Sequence, residues 1–104
     1  MTTNPLDFWP NYRPDDPAHQ QLQAFLVMDL QHSPEWIKEV LMQVEGVRSQ
    51  HTKRWERFGN AYALTLTPAG AQIEDTVDES APIYTVSLEE FQTAVQMWLQ
   101  QIQK

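Results

Sequence analysis

R54-W-E-R-F-G-N-A-Y-A-L-T-L66 is the stretch whose reading decides the fold. Trp55 and Phe58 flank a short strand that ends at Gly59-Asn60, a dipeptide that turns the chain. The following A-Y-A-L-T-L-T alternates strictly. Tyr62, Leu64 and Leu66 fall on one face, with small and polar residues on the other. Two strands joined by a tight turn make a hairpin, so Trp55, Tyr62, Leu64 and Leu66 are expected in the core and the arginines outside.

Downstream, Pro68-Ala69-Gly70 turns the chain again. Ala71 and Ile73 begin a return strand that is expected to fray at Glu74 and Asp75. E-D-T-V-D-E-S is a polar acidic loop, and I-Y-T-V at 83–86 is a short last strand. Ser87 and Glu90 then form a capping box, S-x-x-E. It opens a helix whose apolar stripe is Phe91, Ala94, Val95, Trp98, Leu99 and Ile102.

Upstream, Ser33-Pro34 is a helix start, with Ser as N-cap, Pro in the first turn and Glu35 at the positive end of the dipole. Ile37, Val40, Leu41, Val44 and Val47 follow at helical spacing, so the helix is expected over about 34–48. Residues 21–31, Q-L-Q-A-F-L-V-M-D-L-Q, fit either period. Their short central apolar run favours a strand, with Phe25 and Val27 opposite Leu26, Met28 and Leu30. Residues 1–20 carry Pro5, Pro10, Pro14 and Pro17. Proline lacks an amide donor and restricts its neighbour, so this segment reads as an extended arm that lays Phe8, Trp9 and Tyr12 across the domain. The expectation is an α+β domain at 21–104 in the order β-α-β-β-β-β-α, an antiparallel meander covered by two helices, with a proline-rich arm at 1–20.

Composition narrows the function. The 104 residues suit one domain, and 41% are hydrophobic. There is no cysteine, which removes disulfides, thiolate chemistry and sulfur-ligated zinc. The start of the chain lacks a basic-then-apolar pattern, and the longest apolar run is about five residues against the roughly 20 that span a bilayer. A cytoplasmic protein with no membrane role is expected. Net charge is −7, which disfavours binding to nucleic acid phosphates.

Catalytic patterns are missing. His19, His32 and His51 show no metal spacing and read as surface residues. No phosphate-cradling loop or nucleophile elbow occurs among only three glycines. Asp15-Asp16 and Glu89-Glu90 are adjacent pairs, not carboxylates facing one substrate. No enzyme, cofactor or metal is expected. Three candidate binding surfaces remain. Glu74, Asp75, Asp78 and Glu79 offer a basic protein partner an acidic loop. Arg48, Lys53, Arg54 and Arg57, with His51 nearby and Trp55 as a stacking surface, form an alternative anion or nucleic-acid site. Phe8, Trp9 and Tyr12 form an alternative docking arm for a partner or a homodimer.

Trp55, Arg57, Gly59, Tyr62 and Leu64 fit W-x-R-x-G-x-x-Y-x-L, and in this the chain resembles the YacL-like family of small bacterial proteins. Ser87, Leu88, Glu89, Glu90, Phe91 and Trp98 resemble the closing helix of bacterial immunity proteins of contact-dependent growth inhibition. Together the resemblances span roughly residues 33–104 and leave out the arm. The first implies the fold and no known activity. The second implies a cognate toxin bound through an acidic surface.

Overall fold

A computed structural model describes residues 9–78 and 80–103; Phe8 and Glu79 lie outside them. Helix α1 spans Pro17–Phe25 and runs into a π-helical turn, Leu26–Leu30. Helix α2 spans Pro34–Arg48. Four strands follow, β1 Trp55–Phe58, β2 Tyr62–Thr67, β3 Gly70–Asp75 and β4 Tyr84–Val86, and helix α3 spans Leu88–Ile102. The strands pair antiparallel in the order β1-β2-β3-β4, so the class is α+β and the meander is as expected.

The segment 21–31 is helical, which corrects the strand expected there and gives three helices instead of two. Leu22, Phe25, Leu26, Asp29 and Leu30 are buried, while Val27 and Met28 are exposed. That spacing is i, i+3, i+4, i+7, i+8, the stripe of a helix packed on one side. The start signal was of the same kind as Ser33-Pro34. Asp16 is the N-cap, its Oδ1 accepting the Ala18 N–H at 2.9 Å, with Pro17 in the first turn. The last four residues assigned to the arm therefore belong to α1, because proline suits a helix start as well as an extended chain.

Sheet register fixes what each face carries. Trp55, Leu66, Ala71 and Val86 form one inward row, and Arg57, Leu64, Ile73 and Tyr84 form the next. The outward rows are Glu56, Thr65, Gln72, Thr85 and Phe58, Ala63, Glu74. The core lies between the inward face and the helices. Tyr62, Leu64 and Leu66 are buried there, and Trp55 packs at its margin. Phe25, Phe91, Ile37 and Val44 fill the helix side.

Two further boundaries follow from local chemistry. Glu74 and Asp75 are paired in β3, opposite Ala63 and Tyr62, so the strand does not fray before them. Gly70 has φ +144°, and a Cβ there would lie 2.5 Å from the Val86 carbonyl oxygen. Gly70→Ala should therefore lower stability by about 2 kcal/mol, since both the dihedral and the contact oppose a side chain. Urea unfolding followed by tryptophan fluorescence checks this; an unchanged midpoint would show that the β2–β3 turn relaxes freely.

Candidate binding surface at one end of the sheet

Three connections meet beside Asp29. This carboxylate is 5% exposed. Its Oδ1 accepts the Ala61 N–H at 2.9 Å, and its Oδ2 accepts the Tyr62 N–H at 3.0 Å. The Ala61 carbonyl oxygen in turn accepts both the N–H and the hydroxyl of Thr76, each at 2.9 Å. The π turn, the β1–β2 turn and the start of the β3–β4 connection are thus tied together. Gly59 is required for a physical reason: a Cβ there would lie 2.2 Å from Asp29 Oδ2. Sequence reading missed Asp29. An acid at the i+7 place of an apolar helical stripe was the signal, hidden by the strand assignment.

The acidic candidates lie at this same end. Glu74 is on the outward face of β3, and Asp75 ends the strand. Asp75 Oδ1 accepts the N–H groups of Val77 at 2.9 Å and Asp78 at 3.0 Å. Asp78 Oδ1 accepts the Ser80 hydroxyl at 2.6 Å and the Ser80 N–H at 3.0 Å. Those bonds, the hydroxyl first, hold the Asp78 carboxyl below the usual carboxylate range. Burial, then the charges of Asp75 and Asp29, push the Tyr62 phenol up. Among the described residues no base forms an ion pair with Glu74, Asp75 or Asp78. Val77 and Ile83 stand beside them in the chain at 77% and 49% exposure. Glu79 lies outside the described residues.

The basic candidates that have partners are engaged by different ones. Arg48 donates to Gln92 Oε1, whose Nε2 donates to Glu45 Oε1 at 2.5 Å, a polar bridge from α2 to α3. Arg54 is paired with Glu56, its Nε 2.6 Å from Oε1. Lys53 is exposed, and the His51 ring meets Ser49 Oγ at 2.8 Å. Arg57 is on the inward face, which corrects its placement outside. It follows Trp55 by two residues and so shares that residue's face. Its guanidinium lies 4.4 Å from the centroid of the Trp36 ring, and its enclosed Nη1 has no hydrogen-bond acceptor among the described residues. A cavity of about 450 Å³ opens here, lined by Asp29, Gln31, His32, Ser33, Trp36, Arg57 and Asn60.

His19 is buried, which corrects its reading as a surface residue. Its ring stacks on Trp9 with centroids 4.5 Å apart, and Nδ1 accepts the Arg13 N–H at 3.0 Å. In the neutral ring that bond puts the proton on Nε2, which faces Glu90 Oε2 at 3.5 Å and Asp16 Oδ2 at 4.0 Å. Among the described residues no cluster of three His, Cys, Asp or Glu could hold a metal. The Arg13 hydrogen bond, then that from the Ala18 N–H, holds the Asp16 carboxyl low. Trp9 is 2% exposed, and Tyr12 packs against the same core. The arm aromatics that are described therefore lie against their own chain.

Comparison with known proteins adds no relative: no family model, curated protein or solved structure matches this chain. Among the described residues no helix is long and apolar enough to cross a membrane.

Proposed function

We propose that this is a non-enzymatic cytoplasmic module that binds a basic protein through the acidic end of its sheet, as an immunity-like inhibitor would. One observation carries the reading. Asp75 and Asp78 cap their own turn through backbone N–H groups, while no described base neutralises them. The turn thus presents fixed negative charge, and a charge held in place before contact costs little ordering on binding. Exposed Val77 and Ile83 add apolar contact area beside it. Acidic surfaces of this kind steer association and select partners of opposite sign. The nucleic-acid reading has less support, because Arg48 and Arg54 are already engaged by Gln92 and Glu56.

The test uses Glu74→Gln, Asp75→Asn and Asp78→Asn together. Asparagine keeps an acceptor oxygen for the turn and removes the charge. Affinity capture from host lysate identifies a partner, and the purified pair is then measured by stopped flow. The expected result is a partner of basic isoelectric point. Its association rate should fall with salt, and by about tenfold in the triple variant, at unchanged thermal stability. A partner rate indifferent to both salt and the substitutions would overturn the proposal, as would capture of nucleic acid alone.

A further inference from the structure

We propose that the cavity between the start of α2 and the β1–β2 turn is a binding site for a small ligand bearing an oxyanion, a carboxylate or a phosphate, gripped by Arg57. This goes beyond the protein-binding reading and uses none of the residues of the acidic turn.

Three departures from regular structure converge on this one cavity. The π turn Leu26–Leu30 ends at its edge, and such turns are frequent at functional sites. Gln31 follows at φ 50° and ψ −136°, a backbone conformation rare for a residue with a side chain. Arg57 holds its guanidinium 4.4 Å from the centroid of the Trp36 ring on the inward face of an edge strand, with an enclosed nitrogen that meets no acceptor among the described residues. An enclosed charged donor without an acceptor is costly, and a ligand acceptor that draws the guanidinium tip toward the cavity would relieve that cost.

The chemistry of the wall selects the ligand. Gln31 is spent, its side-chain nitrogen donating to the Met28 carbonyl oxygen at 2.8 Å and its carbonyl oxygen accepting from the Trp98 indole at 2.7 Å. Asp29 is spent on the two backbone N–H groups of the β1–β2 turn. What remains on the wall includes the Arg57 fork, the Asn60 amide N–H groups, the His32 ring and the Ser33 O–H, whose oxygen already accepts the Trp36 backbone N–H at 3.4 Å. Contact with the Trp36 ring restrains the guanidinium, whose fork suits two-pronged recognition of a carboxylate or phosphate. Asp29 lies close behind. The point where a Gly59 Cβ would stand is 2.2 Å from Asp29 Oδ2 and 3.1 Å from Arg57 Nη1. That buried charge offsets part of the arginine's and favours a ligand of low net charge over a polyanion. The volume of about 450 Å³ falls within the range of small-molecule sites.

The test is an NMR titration of the full chain with inorganic phosphate and, separately, acetate, at constant ionic strength against a chloride control. The expected result is saturable shifts at the Arg57 Nε–H, the Trp36 indole N–H and the Ser33 and Asn60 amides, at millimolar concentration. The tighter of the two probes identifies the ligand class. Arg57→Gln should abolish saturation. Should that variant not fold, Arg57→Lys replaces it and should weaken binding about fivefold or more by losing the fork. Shifts no larger than with chloride, or an affinity unchanged by the Arg57 substitution, would overturn the proposal. Glu74→Gln with Asp75→Asn should leave saturable binding and its dependence on Arg57 in place, which separates its failure from that of the protein-binding reading.

Discussion

Replacing Asp29 by alanine should cost about 4 kcal/mol, because two buried N–H groups lose their acceptor at once, each worth roughly 1–3 kcal/mol. Ala61 and Tyr62 donate to separate oxygens of the one carboxylate, so no single neighbour can substitute. Arg57 Nη1, already without an acceptor among the described residues, would also lose its nearby counter-charge. For a chain of this size the thermal midpoint should fall by roughly 15–20 °C. Asp29→Asn should not rescue it, since the amide nitrogen sets a donor against a donor at one of the two positions. Equilibrium urea unfolding of the three proteins checks this. An Asn variant as stable as the parent would show that a single acceptor suffices and that the tie between the turns is weaker than its geometry implies.

Trp9→Ala should be nearly as damaging, at about 3–4 kcal/mol, the usual cost of emptying a buried aromatic site. Trp9 is 2% exposed, stacks on His19 and lies at 5.4 Å from Tyr12 in a tilted pair. The same replacement separates two roles for the proline-rich segment. As part of its own core, Trp9 gives a thermal midpoint independent of protein concentration in both parent and variant. As an anchor on a second copy, it makes the parent's midpoint rise with concentration. A loss below 1 kcal/mol together with concentration dependence would move Trp9 from the core to an interface.

The candidate surface was legible in part. Asp75 and Asp78 were visible as acids in a turn-rich stretch, but not that each spends an oxygen on its own backbone. Arg57 was grouped with Arg48 and Arg54 by proximity in the chain, yet the fold sends the three to different surroundings. Strand pairing turns Arg57 inward under Trp36, while the end of α2 carries Arg48 to Gln92. His19 looked like a polar residue in an arm, and only the closure of Trp9 and Arg13 over it buries the ring. The placements of Arg57 and Arg48 depend on partners distant in sequence, Trp36 and Gln92, which no local pattern encodes.

What the sequence determined by itself were the elements whose local signals agree. Ser33-Pro34 with a helical stripe makes α2, the alternation after Gly59 makes β2, and Ser87 with its capped stripe makes α3. Turn chemistry at Gly59-Asn60 and Gly70 then leaves an antiparallel meander as the short connection. Only the tertiary structure decided residues 21–31. There the apolar run satisfies both periods, and the helix prevails because it buries Leu22, Phe25, Leu26 and Leu30 together against the sheet. A strand would have put Phe25 on the face opposite Leu22, Leu26 and Leu30. With the helix comes Asp29, delivered to the two turn amides that need it.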